Sequence, residues 1–190
     1  MDWLVTGRLD AKRELLTTEE LLDRETGTEL YTSHFCFGPE MRAHIIKNGS
    51  YRSYLGPSHG HHYIVDIDTN RGIDSLKGYI VPLLEEMTRI DIDYRLYFSG
   101  FKGFHVYVPK QYIGIIGDAK GRHHVAAKAF AMKIAEKFPE LAPFIDLSIY
   151  DSTRLLRAPF SLYPINREKK KEYESYKRLL VYNSANGDIT

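Results

Sequence analysis

The stretch Tyr94-Arg95-Leu96-Tyr97-Phe98-Ser99-Gly100-Phe101-Lys102-Gly103-Phe104-His105-Val106-Tyr107-Val108 decides the fold class. Residues 94–99 and 104–108 are rich in aromatic and β-branched side chains, which suit a pleated surface, and the glycine-bounded Gly100-Phe101-Lys102-Gly103 connects them. Strands joined so closely pair antiparallel. Helical and extended segments alternate around this pair, so the expected class is α+β. On the N-terminal side, Thr17 and Glu20 form a capping box before Leu21 and Leu22, predicting a short helix to about Arg24. Residues 30–37 read as a strand, and Pro39 opens a helix that stops at Asn48-Gly49. A strand over 62–67 leads through the turn Asn70-Arg71-Gly72 to a helix capped by Asp74, which Pro82 should kink or divide. On the C-terminal side, Ala127, Phe130, Ile134 and Phe138 recur at helical spacing over 122–138. Residues 147–150 and 154–163 read as extended chain, and a charged helix is expected from Asn166 to about Tyr182.

The strand over 62–67 carries the first chemically loaded cluster, Tyr63-Ile64-Val65-Asp66-Ile67-Asp68-Thr69. Alternate residues of a strand share a face, which sets Asp66 beside Asp68, about 7 Å apart at Cα, with Ile64 on the same side. Val65 and Ile67 point the other way, into a core. Two neighbouring carboxylates on an apolar strand repel, and a hard divalent cation such as Mg²⁺ or Mn²⁺ resolves the conflict through oxygen ligation. The same residues also suit a strand that has ended in a solvated turn, with Asp68 and Asn70 as turn formers. In the 94–108 stretch, the backbone amides of the glycine turn can approach a phosphate, Lys102 supplies charge, and Ser99 and His105 supply hydrogen-bond donors. A plain hairpin with an exposed lysine and a core histidine fits these residues equally well.

A third cluster runs Ile145-Asp146-Leu147-Ser148-Ile149-Tyr150-Asp151-Ser152-Thr153-Arg154-Leu155-Leu156-Arg157-Ala158-Pro159-Phe160-Ser161. Asp146 stands in an apolar stretch and calls for a partner, either a metal ion or one of the arginines. Arg154 and Arg157 flank two leucines, which holds their guanidinium forks near a core edge, where they suit phosphate oxygens. Two further histidine groups are His59-Gly60-His61-His62, which reads as a polar turn with zinc or phosphate contact as the alternative, and His123-His124, which read as surface residues opening a helix.

Composition sets outer bounds. The chain has 190 residues, 43% hydrophobic and 27% charged, with a net charge of +1. A chain of this length buries roughly 70% of its unfolded surface and needs neither metal nor disulfide to fold. The single cysteine, Cys36, rules out an internal disulfide and a zinc site built from paired cysteines, and it points to a reducing, cytoplasmic setting. No apolar run approaches the ~20 residues of a membrane span, and Met1-Asp2-Trp3-Leu4 lacks the character of a secretory signal. The small net charge argues only against strong non-specific adhesion to nucleic acid over the whole surface.

Taken in order, the three clusters resemble the archaeo-eukaryotic primase superfamily. Its first motif is an apolar strand ending in Asp-x-Asp, as in Val65-Asp66-Ile67-Asp68. Its second is a serine followed by a basic residue and a histidine, matched by Ser99, Lys102 and His105. Its third is an apolar-flanked aspartate followed by an Arg-Leu-x-Arg-x-Pro-x-Ser-Leu segment, matched by Asp146 and by residues 154–162. The likeness spans 64–162. It implies an N-terminal α/β unit, here within 1–60, packed on a unit like an RNA-recognition motif that forms a motif-bearing core over 61–165, with a C-terminal helix and tail over 166–190.

The resemblance also implies roles. Asp66, Asp68 and Asp146 would hold two Mg²⁺ or Mn²⁺ ions. Ser99, Lys102, His105, Arg154 and Arg157 would grip the triphosphate of a nucleoside triphosphate. The activity implied is primer synthesis on a single-stranded DNA template. Extension of existing 3′ ends by a gap-filling or end-joining polymerase is the alternative, and a non-catalytic nucleic-acid-binding initiator module is another. A chain this short has no room for a helicase, which would then be a separate partner, as would an accessory primase subunit. The zinc-binding insert common in primase small subunits is absent, so no zinc site is expected. The Lys-Thr-Gly that often follows the third motif is missing too. Lys169-Lys170-Lys171 lies nearby, as a template contact or as a solvated helix face.

Overall fold

The chain is built on two four-stranded antiparallel sheets, and the computed structural model describes residues 3–7, 13–22, 30–100, 102–112, 121–151, 153–158, 161 and 177–183. Strands β1 (Trp3–Gly7), β2 (Glu14–Thr17), β3 (Tyr31–Ser33) and β7 (Leu155–Arg157) form the first sheet, in the order β2-β1-β3-β7. Strands β4 (His62–Asp68), β5 (Tyr94–Phe98), β6 (Gly103–Pro109) and β8 (Arg178–Asn183) form the second, in the order β4-β6-β5-β8. Helices α1 (Thr18–Leu22), α2 (Pro39–Asn48), α3 (Asp74–Arg89) and α4 (His123–Lys137) complete the regular elements of a mixed α+β domain. Among the described residues no helix is long and apolar enough to cross a membrane.

Local signals set several boundaries. Thr17 and Glu20 exchange backbone-to-side-chain hydrogen bonds at 2.7 and 3.1 Å, a capping box that starts α1. Helix α2 begins at Pro39 and ends on Gly49, whose φ of 67° is the left-handed conformation that glycine adopts without a Cβ clash. Strand β4 pairs with β6 in the register Val65↔Val106, Asp66↔His105 and Ile67↔Phe104, and β5 pairs with β6 through Tyr97↔His105. Directly opposed residues share a face. One face of the second sheet therefore carries Asp66, His105 and Tyr97 in a row. The other carries Val65, Val106 and Leu96, all buried. Helix α4 lies on that second face, where Tyr63 stacks on His123 at 4.8 Å and on Phe130 at 5.5 Å.

Four expectations are corrected. Helix α3 is one element from Asp74 to Arg89, so Pro82 does not divide it. The missing N–H leaves the carbonyl of Gly78 without its helical partner, but both residues are exposed and water can take its place, while Leu76, Ile80, Leu83 and Met87 are buried on both sides of the proline. Asp74 is the first residue of α3 rather than its cap; Ile73 holds the cap position, and Asp74 pairs with Lys77 at 2.7 Å. Residues Leu147–Tyr150 form a 3-10 turn capped by the Asp146 side chain instead of extended chain. The C-terminal helix expected to reach about Tyr182 gives way to a strand over Arg178–Asn183, because Leu179-Leu180-Val181 completes the open edge of β5. Residues 166–176, including Lys169-Lys170-Lys171, lie outside the described residues, as do Arg24, Phe101, Pro159, Phe160 and Leu162.

The turn between β5 and β6 closes against the end of β4, with Thr69 N–H donating to the Lys102 carbonyl at 3.1 Å. A Cβ on Gly103 would stand 2.1 Å from the Ile67 carbonyl oxygen and 2.3 Å from Asp68 Oδ1. The Asp68 carboxylate can rotate away, but the Ile67 carbonyl cannot yield without moving the strand. Gly103→Ala is expected to cost roughly 1–3 kcal/mol, as overpacking does, and a urea titration reads it as a lowered midpoint with unchanged slope.

Candidate active site

Six side chains from the three sequence clusters line one cavity of about 180 Å³: Asp66, Asp68, Ser99, Lys102, His105 and Arg157. Tyr31, Leu155 and Leu156 complete the lining. Strand β4 supplies the two carboxylates, the β5–β6 turn supplies Ser99 and Lys102, β6 supplies His105, and β7 carries Arg157 across from the first sheet.

Asp66 is buried, at 6% exposure, and its Oδ1 has no hydrogen-bond partner. His105 Nε2 lies 3.4 Å from that oxygen, close enough for electrostatic contact but not aligned as a hydrogen bond. Burial pushes the Asp66 carboxyl up to about 8, helped by the nearby negative charges of Asp68 and Asp146. Burial holds His105 well below its ordinary value, with the charges of Lys177, His34 and Arg157 acting in the same direction, so the imidazole is neutral. Lys102 Nζ meets Asp68 Oδ2 at 3.0 Å, and that hydrogen bond raises the lysine pKa. Arg157 donates to the Ser99 carbonyl at 3.2 Å and to the Tyr31 hydroxyl at 3.3 Å, which fixes its guanidinium at the cavity wall. Ser99 Oγ accepts the Gly103 N–H at 3.2 Å, so that amide is used inside the turn and is not offered to a phosphate.

The other two sequence candidates stand apart from this lining. Asp146 docks on the free edge of β4, its N–H donating to the Asp66 carbonyl at 2.9 Å. Its Oδ1 accepts from Ser148 N at 2.8 Å. The expected alternative, an ion pair with one of the arginines, is not what engages that oxygen. Arg154 is exposed and does not line the cavity.

Sequence reasoning missed three residues here. Tyr31 orients Arg157, as described, and lies 5.6 Å from its guanidinium. Lys177 is fully buried; its Nζ donates to the Tyr107 hydroxyl at 2.7 Å and the Arg157 carbonyl at 2.9 Å, and sits 4.8 Å from the Tyr107 ring centroid. Burial pulls its pKa down to about 7. The only signal for it was the apolar run that follows, Leu179-Leu180-Val181, which marks a strand start rather than a solvated helix. His34 stacks on Phe35 at 4.3 Å with both ring nitrogens buried and without hydrogen bonds, and burial drops its pKa to about 3. His123, expected at the surface, is fully buried, its Nε2 3.2 Å from the His62 carbonyl.

A hard divalent cation fits this donor set. The buried Asp66 Oδ1 lacks a partner, and Asp66 and Asp68 open onto the same cavity. Among the described residues no three metal-ligating side chains are already gathered around one point. That openness suits Mg²⁺ or Mn²⁺, which commonly take one or two carboxylates and complete their shell with water and substrate phosphate.

No family model matches the sequence, and no curated protein matches it. Among solved structures the chain is similar to the polymerase domain of Mycobacterium tuberculosis Ligase D in complex with DNA, at 13% identity and a TM-score of 0.48, covering 97% of this chain and 78% of that one. At that level the likeness is coarse, and the chemistry has to be read from the side chains themselves.

The Asp66 environment makes a signed prediction. A carboxyl raised from 3.8 to about 8 on folding binds more protons folded than unfolded across that window, so its contribution to stability falls as pH rises through it. Buried neutral histidines act in the opposite sense and are common to both proteins compared. In EDTA, wild type is expected to lose stability relative to Asp66→Asn as pH rises from about 4 to 8. Adding Mn²⁺ at pH 8 should narrow the gap. Parallel stability–pH curves in EDTA would show that Asp66 is not held protonated.

Proposed function

We propose that the chain is a nucleotidyltransferase of the primase-polymerase type, joining nucleoside triphosphates into a strand on a single-stranded DNA template. One observation carries this reading: clusters separated by tens of residues converge on a single cavity lined by two carboxylates, Asp66 and Asp68, and by Lys102, His105 and Arg157. That distribution suits a triphosphate bound through divalent cations, with its charge shared between metal and protein cations.

In this reading Asp66 and Asp68 present oxygens to the ions, and Asp146, adjacent through its backbone, adds a carboxylate on the outer side. When bound, Mg²⁺ or Mn²⁺ would supply Lewis acidity to the reacting phosphate and stabilise the departing pyrophosphate. Arg157, fixed by Tyr31 and the Ser99 carbonyl, meets the phosphates without having to be ordered first. His105, neutral, can offer one N–H to a phosphate oxygen. Lys102 is tied to Asp68 and exchanges that partner for phosphate once a cation takes the carboxylate. Ser99 keeps its hydroxyl hydrogen available, since its oxygen acts as acceptor toward Gly103. Arg154, exposed beside β7, can reach phosphate only from the solvent side. No covalent nucleophile is required; positioning and charge do the chemistry.

Labelled-nucleotide incorporation on an unprimed single-stranded template tests the reading. Product is expected with Mg²⁺ or Mn²⁺ and none with EDTA; synthesis only from a supplied 3′ end would move the assignment to gap filling or end joining. Asp66→Ala should abolish incorporation while template binding persists, and wild-type incorporation by that variant would remove the metal assignment. Binding without incorporation by wild type under any of these conditions would favour the non-catalytic initiator reading.

His105→Ala and Arg157→Ala each delete a donor to a charged group. They should weaken nucleotide use by about tenfold or more, with template affinity little changed. Unaltered nucleotide affinity in both variants would refute the triphosphate-grip roles.

A further inference from the structure

A second cavity, of about 670 Å³, opens beside the candidate active site. The two share Asp68 and Lys102, and the 3.0 Å ion pair between those residues stands where the cavities meet. They differ in size and character. The smaller, at about 180 Å³, is below the roughly 300–1,000 Å³ usual for a pocket that encloses a whole small ligand, so it takes the phosphates of a nucleotide but not its sugar and base. The larger is within that range. Its walls carry Asn70 and Arg71 from the turn after β4, Tyr79 from α3, and Phe144. The rings of Tyr79 and Phe144 lie 5.0 Å apart at an angle of 37°. Tyr79 is 36% exposed, whereas α3 contributes Leu76, Ile80, Leu83 and Met87 to the core. Its ring therefore keeps an open side toward the cavity while it touches Phe144.

Phosphoryl transfer places the attacking and leaving oxygens roughly in line, on opposite sides of the transferred phosphorus. The cations of the smaller cavity mark the leaving side. The attacking hydroxyl then needs a separate approach, and the larger cavity, which meets the smaller one at Asp68 and Lys102, supplies the space for it. We propose that the 670 Å³ cavity receives the 3′-terminal nucleotide of the acceptor strand, its base stacked on the Tyr79–Phe144 pair and its backbone phosphate met by Arg71. A stacked ring accepts any base, because every base has a π-face, which suits a subsite that each added nucleotide must enter in turn. The inference rests on the nucleotidyl-transfer reading for its direction, but the stacking contact is measurable without any reaction.

The test uses the full chain and short single-stranded DNA carrying the fluorescent base 2-aminopurine at its 3′ end, in EDTA so that no synthesis occurs. Wild type is expected to quench the fluorescence on binding. Tyr79→Ala should weaken binding of that strand about tenfold and abolish the quenching, while Tyr79→Phe retains both. Tyr79 also touches Phe144, so binding is read well below the Tm of each variant, which separates lost stacking from lost folding. At saturating protein the same strand labelled at its 5′ end should give the same fluorescence amplitude with all three proteins. Unchanged 3′-end quenching by Tyr79→Ala overturns the proposal, and so does a Tyr79 dependence confined to 2-aminopurine riboside triphosphate, which would place the incoming base there instead. Incorporation assayed in parallel keeps the two readings apart. Tyr79-dependent quenching by a protein that never incorporates leaves the stacking subsite standing and removes the transferase assignment; incorporation with an unchanged acceptor KM in Tyr79→Ala does the reverse.

Discussion

Asp66 is held from both sides of its strand. Across one edge of β4 it stands opposite His105, and on the other edge its carbonyl accepts the Asp146 N–H. Because that carbonyl points away from β6, Asp66 and His105 form a non-hydrogen-bonded pair, the kind in which facing side chains approach most closely. Two residues earlier the Ile64 carbonyl points the same way and accepts the Tyr150 hydroxyl at 2.6 Å. The backbone of β4 thus places one carboxylate against an imidazole and delivers a second aspartate beside it. The rest of the site is arranged around that strand.

The junction between the two sheets supplies the opposing charge. Strand β7 belongs to the first sheet, yet Arg157 reaches the Ser99 carbonyl at the end of β5 in the second. Lys177 closes the same junction from behind, bonding Tyr107 of β6 and the Arg157 carbonyl at once. Burying an ammonium disfavours its charged form, and the nearby Asp66 works against that penalty. Acidic and basic groups are therefore concentrated where the sheets meet. The solvent-facing helices carry ordinary surface pairs instead, such as Glu86 with Arg89 and Lys137.

Local features were legible without the fold. The capping box at Thr17, the Pro39 start and Gly49 stop of α2, and the strand pair around residues 99–103 all follow from interactions within a few residues. The side chains of Asp66, Asp68, Ser99, Lys102, His105 and Arg157 could be nominated from residue type and order. What misled the reading was burial. A histidine pair opening a helix looks solvent-facing until Tyr63 is found stacked on His123. A proline inside a helical pattern looks like a break until the core on both sides of it holds the helix together. A lysine next to a charged run looks solvated until the following residues complete a sheet edge and carry it inside.

The sequence by itself nominated the residues that could bear chemistry and determined which face of β4 each occupies, because strand alternation is a property of the backbone that neighbours cannot change. The tertiary structure decided which of those residues meet. Arg157 enters the cavity and Arg154 remains outside although both flank the same two leucines, since β7 turns one side chain toward the sheet junction and leaves the other in solvent. It also decided the protonation of Asp66 and Lys177, for a pKa depends on desolvation and on charges from distant segments, and neither is encoded within a local stretch of chain.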